Sequence, residues 1–182
     1  MLDVSLDEVL DPSFVDGLER LEANELRRRK ELADAHEAAL SYARRILQGK
    51  IDLLAAELQA RREAGGEVVG PSIADLSEVL EPKREREFRG RFPRMITRPE
   101  TPEVQEAERT AAHPIFARLE EASVDEIAWV AGRLRDHERR ISDLRLRLHS
   151  QIDQIERELV RRYTSGEISV DDVLKRYVTN GS

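Results

Sequence analysis

The sequence predicts an all-α fold: an antiparallel two-helix coiled coil, a long helical hairpin, with short accessory helices. Three observations predict it. Charged residues make up 37% of the chain and aromatic residues only 4%, a composition of long helices rather than of a thick globular core. Apolar residues recur every seven positions through Leu26, Ala33, Leu40, Leu47 and Leu54, and again through Ile127, Leu134, Ile141, Leu148 and Ile155, which is the seam of a helix that packs along its length. Beside each seam runs a polar pattern, and it is written twice.

The pattern is Glu37, Ser41, Arg44, Gln48 and Asp52, with an echo at Glu138, Ser142, Arg145, His149 and Asp153, each 101 positions after its counterpart. The apolar neighbours Leu58 and Leu159 keep the same offset, so a helix has been duplicated within the chain. Steps of 4, 3, 4 and 4 residues gather all five side chains within roughly 80° of helix surface. Each long helix therefore carries a packing edge flanked by a chemical one.

Taken in order, residues 1–12 hold Ser5 ahead of Asp7 and Glu8, a cap for one short helical turn before Asp11 and Pro12. Ser13 then caps the first long helix, 13–64, which Gly65 and Gly66 stop. A helix of that length is not held by propensity alone and needs a partner along its seam. Residues 65–122 are an irregular basic linker. Its glycines and prolines exclude one continuous helix, while short helices fit Ser72 to Leu80 and Pro102 to Ala112.

Between Lys83 and Arg98 seven bases face two acids, with Phe88 and Phe92 among them. That run reads as a solvated linker with two aromatic anchors, ahead of a docking arm for an acidic partner or phosphate. Ser123 and Glu126 form a capping box that opens the second long helix, 123–165. A last short helix, within 166–182, is capped by Ser169 and carries Val170, Val173, Leu174 and Tyr177 on one face.

The connection can bring the second helix back antiparallel to the first, and it is also long enough for a parallel pair. The antiparallel form would set Glu37 near the level of Asp153 and Asp52 near Glu138. A duplicated site of this kind suits a two-fold symmetric ligand.

Composition narrows the chemistry. No cysteine is present, so disulfides and thiolate zinc sites are excluded. The amino terminus has no basic region followed by an apolar run, and no stretch of about 18 apolar residues occurs; the expectation is a soluble, cytoplasmic protein with no membrane partner. A formal charge of -7 argues against direct DNA binding, which depends on neutralising phosphates. The two stripes depart from that balance. Residues 37–52 hold three bases against two acids and 138–153 four against three, so each is locally positive.

No P-loop, Gly-rich dinucleotide loop, cysteine nucleophile or HExxH occurs, and no histidine completes a Glu-x-x-His pattern. The chain reads as a non-enzyme with no metal, and His36, His113 and His137 read as surface or packing positions. Trp129 and Tyr42 read as seam or interface residues rather than stacking platforms. An aspartate accepts two hydrogen bonds from the Watson–Crick edge of guanine, whereas a planar arginine donates to its O6 and N7 or stacks on the base. Ser and Gln add neutral hydrogen bonds, and further arginines neutralise phosphates. The stripes are thus suited to a guanine nucleotide.

Repeated E-x3-S-x2-R-x3-Q-x3-D helices in an Arg- and Glu-rich chain resemble the RsiG family of actinobacterial anti-sigma factors. The first copy fits at all five positions and the second at four, with His149 in place of Gln. The resemblance implies that the ten stripe residues bind cyclic di-GMP, as a stacked pair of molecules on a helical coiled coil. It also implies that the liganded protein sequesters a sporulation sigma factor of the WhiG kind. The other readings are a ligand-independent coiled-coil adaptor or scaffold and an uncharacterised nucleotide-binding enzyme.

Overall fold

The computed structural model describes residues 4–63 and 99–168. They form four α-helices: α1 (Leu6–Leu10), α2 (Ala23–Glu63), α3 (Pro102–Ala111) and α4 (Val124–Ser165), joined in part by 3-10 turns at Pro12–Val15, Leu18–Arg20 and Pro114–Ala117. Among the described residues there is no strand. The proposed short helix at 72–80, the basic run 83–98 and the last helix from Ser169 lie outside them.

The fold is an all-α helical hairpin, and the seam read from the sequence is its core. All ten seam residues, Leu26 to Leu54 and Ile127 to Ile155 at seven-residue spacing, are between 0 and 3% exposed. Burying each leucine or isoleucine contributes about 1.5–3 kcal/mol, and the seam together with buried neighbours such as Ala43, Ile51, Val130 and Ile152 holds helices of 41 and 42 residues together.

The chain divides into two compact units, each taking one part of each long helix. Unit 1 runs to Ser41 and resumes at Ile141. Its core contains Leu18, Leu26, Ile155, Leu159 and Ile168, with Phe14, Val15, Leu21, Ala23 and Tyr163 packed against them. The helices run antiparallel here. Arg27 donates to the Tyr163 hydroxyl at 3.0 Å, Lys30 pairs with Glu156 at 3.0 Å and Arg145 with Glu37 at 2.9 Å, so rising numbers on α2 meet falling numbers on α4. Unit 2, Tyr42–Arg140, is antiparallel by the same criterion: Arg44 meets Glu138 and Arg61 reaches the carbonyls of Leu119 and Ala122.

The local signals explain most element boundaries. Ser5 and Glu8 close a reciprocal capping box on α1, with the Glu8 N–H on Ser5 Oγ at 3.3 Å and the Ser5 N–H on Glu8 Oε2 at 2.8 Å. Ser123 and Glu126 do the same for α4 at 3.2 and 2.9 Å. Thr101 caps α3 by accepting from the Val104 N–H. At its far end α4 stops where Gly166 turns left-handed at φ 77°, and the Ile168 N–H closes back on the Arg162 carbonyl.

One boundary differs from the expectation. The first long helix starts at Ala23 rather than Ser13. Asp11 accepts from the Ser13 N–H at 2.9 Å, so Ser13 is capped within a 3-10 turn that Pro12 opens. Gly17 then takes φ 65°, a conformation that ends helical propagation.

Two arginines tie the ends of the long helices to the backbone entering the opposite helix. In unit 1, Arg162 donates to Glu158 at 2.7 Å and to the carbonyls of Leu21 and Leu18 at 2.6 and 2.9 Å. In unit 2, Arg61 donates to Glu57 at 2.6 Å, to the Leu119 carbonyl at 2.7 Å and to the Ala122 carbonyl. Every partner is shifted by the same 101 positions.

A histidine repeats in the same way. His36 donates from Nε2 to the Val4 carbonyl at 2.9 Å, and His137 Nδ1 lies 3.1 Å from Thr110 Oγ1. Because that hydroxyl donates to the Glu106 carbonyl, Nδ1 is the donor to it. Each buried imidazole therefore anchors the segment ahead of a long helix.

Candidate functional site

Copy 1 of the polar pattern lies on α2 and copy 2 on α4, beside the buried seam, and the structure sorts the ten residues by environment. In unit 1, Glu37 is half-buried and is the hub. Its Oε1 accepts from Ser41 Oγ at 2.7 Å and from Arg145 Nη2 and Nε at 2.9 and 3.3 Å, and His149 Nε2 stands 3.5 Å away. Burial pushes the Glu37 carboxyl up, but the hydrogen bonds from Ser41 and Arg145, with the charges of Arg145 and His149, outweigh it. The net shift is downward, so Glu37 is a carboxylate at neutral pH.

In unit 2 the corresponding pair is Arg44 and Glu138, with Nη1 and Oε1 3.8 Å apart, ion-pair contact beyond hydrogen-bond reach. Glu37 corresponds to Glu138 and Arg44 to Arg145 in the repeat. Each unit thus pairs the first position of one copy with the third of the other. Ser142 and Gln48 are half-buried, whereas Asp52 and Asp153 are exposed to solvent. The side chain of His149 is 45% exposed.

The level of the stripes differs from the sequence expectation. Glu37 faces Arg145, not Asp153, and Glu138 faces Arg44, not Asp52. The shift is eight residues, about two helical turns. Matching the two ends of a motif does not set the register. Seam layers separated by seven residues can interlock in several registers, and the arginine ties at Leu18 and Leu21 and at Leu119 and Ala122 select among them.

Trp129 is not in the seam. It is 58% exposed, with the His113 ring edge-on at 6.2 Å and the Arg133 guanidinium 5.1 Å from its centroid. Tyr42 is half-buried. His36 and His137 are buried packing residues, as expected, and His113 caps a turn by accepting from the Ile115 N–H at 3.2 Å. Among the described residues no group of three or more His, Asp or Glu side chains could hold a metal ion, and no helix is long and apolar enough to cross a membrane.

Residues that the pattern did not single out also matter for the site. Glu57 and Arg61, with Glu158 and Arg162, fix the register that brings Glu37 to Arg145 and Arg44 to Glu138. Their signal was the 101-residue offset itself, which extends past the polar stripe.

Charged and amide side chains thus lie along solvent-accessible faces of an all-α hairpin. A family model described as RsiG-like matches residues 12–80, a stretch that holds all of α2 and copy 1. No curated protein matches the chain significantly.

Proposed function

We propose that this protein is an anti-sigma factor that binds cyclic di-GMP through its two motif copies and, with the ligand bound, sequesters a sporulation sigma factor of the WhiG kind in the cytoplasm. The observation that carries the reading is the cross-helix Glu–Arg pair made once in each unit by motif positions one and three. It holds the arginines in place on the stripes while the carboxylates at position five, Asp52 and Asp153, face solvent. Aspartate is the residue type that accepts from the guanine Watson–Crick edge, and arginine the type that donates to guanine or phosphate.

On this reading Glu37, Ser41, Arg44, Gln48 and Asp52 serve one half of the ligand-binding surface. Glu138, Ser142, Arg145, His149 and Asp153 serve the other. His149 replaces an amide with an imidazole that donates or accepts when neutral and adds charge near a phosphate when protonated. The ligand acts by favouring the sigma-bound state, through a coupling free energy typically about 1–3 kcal/mol, and by linkage sigma tightens dinucleotide binding equally.

Calorimetric titration with cyclic di-GMP tests the site. The wild type should give a saturable heat, and Asp52→Ala combined with Asp153→Ala should remove it. Full affinity in the double variant would remove the assignment of those carboxylates. Capture of the purified sigma factor with and without dinucleotide tests the switch: equal capture in both conditions would leave an anti-sigma protein without the proposed control.

A further inference from the structure

Arg135 is the feature of unit 2 that neither packing nor the five-residue pattern explains. It is half-buried, and its Nε and Nη2 are shielded from solvent with no hydrogen-bond partner. Buried polar groups without a partner are rare and costly, most of all when charged. Desolvation alone moves its pKa, downward, in keeping with a charge that no carboxylate compensates. Position 135 is three residues before Glu138 and seven before Ser142, so it lies within about 60° and 20° of them around α4. It extends the chemical face of copy 2 by one turn.

The repeat supplies an internal control. The counterpart of Arg135 in unit 1 is Asp34, which Lys30 satisfies at 2.8 Å. The duplicated scaffold therefore builds this turn around an acid as readily as around a base, and nothing in the fold requires a guanidinium. Nε and Nη2 are moreover the neighbouring pair on the side edge of the guanidinium, the fork that grips two oxygens of one oxyanion.

We infer that Arg135 is a phosphate-binding residue, present in unit 2 alone, that leaves its shielded, uncompensated position to take two oxygens of a phosphodiester through Nε and Nη2. This rests on the dinucleotide reading given above and adds to it a contact that the motif does not contain. It also makes the two halves of the site unequal, since Asp34 cannot make the same contact.

The test combines ligand affinity with the stability of the free protein. Arg135→Met keeps the length of the stem and removes the charge; Arg135→Lys keeps the charge and removes the fork. Titration with cyclic di-GMP should show at least about ten-fold weaker binding for the Met variant, as expected for a lost charged hydrogen bond, and a weaker dependence on salt. The Lys variant should bind weakly with its salt dependence intact.

Without ligand, the Met variant should unfold at higher urea than the wild type, because an uncompensated buried charge has gone. A merely structural arginine would give the opposite sign. Unchanged affinity in the Met variant, or a lower urea midpoint, would overturn the inference while leaving the site standing. A wild type that binds no cyclic di-GMP would remove the site and this contact together.

Discussion

The cross-helix Glu–Arg pair closes to 2.9 Å in unit 1, between Glu37 and Arg145, and stands at 3.8 Å in unit 2, between Glu138 and Arg44. The same unit 2 carries Arg135 with two shielded nitrogens unbonded, where unit 1 has Asp34 neutralised by Lys30. Around these differences the plan is the same: a short helix, a Pro-opened 3-10 turn, a histidine anchor and an arginine tie. The difference teaches which parts of a duplicated scaffold hold it together and which are open to change. Groups that tie the helix ends have kept their partners in both units, while position 34 on α2 and position 135 on α4 have taken opposite charges.

The largest effects should come from what the units share. Leu47→Ala in unit 2 and Leu148→Ala in unit 1 each empty a fully buried seam position and should each cost about 2–5 kcal/mol, read from urea unfolding. Costs that differ by more than about 2 kcal/mol would break the equivalence of the two seams.

Next come the arginine ties. Arg162→Ala and Arg61→Ala each strand backbone carbonyls and should cost about 1.5–3 kcal/mol. The Arg162 side chain is 8% exposed and that of Arg61 23%, so the unit 1 variant should be the worse. The reverse order would show that burial does not set the strength of these ties.

Smaller effects should follow at the stripes. Glu37→Gln should cost about 1 kcal/mol, as expected for a partly buried pair with good hydrogen-bond geometry. An unchanged urea midpoint would mean that the 2.9 Å pair with Arg145 contributes nothing.

The smallest effect is a pH dependence. Burial pushes the His137 imidazole below its ordinary 6.5, opposed by Glu106 and aided by Arg140. The unfolded chain therefore takes up the proton first, and stability should fall as pH drops below about 6.5. His137→Gln should flatten the unfolding midpoint between pH 7 and 5, and an unaltered slope would assign the dependence to other groups.

The seam was fully legible in the sequence because a seven-residue apolar repeat has one meaning for a helix pair, and all ten residues are buried. The capping boxes at Ser5 and Ser123 were legible for the same reason: a local signal with a local cause. Ser13 misled because a serine ahead of an apolar run is also what a capped 3-10 turn looks like, and only the left-handed Gly17 separates the two.

The stripes were legible as faces, but their level was not. Register is decided by long-range ties such as Arg162 to Leu18, and no single-helix pattern contains them. Arg135 escaped the sequence reading because one arginine on a charged helix is ordinary. Its burial without a partner exists only once the chain is folded.

Each unit draws its two helical parts from opposite halves of the polypeptide, and this bears on synthesis. When Glu63 leaves the ribosome, the α4 residues that α2 packs on are still to come, and the last of them, Ser165, follows 102 residues later. At roughly 5–20 residues per second the delay is about 5–20 s. Until then Leu26, Ala33, Leu40, Leu47 and Leu54 lack their α4 partners, a window in which a chaperone or another copy can reach them first.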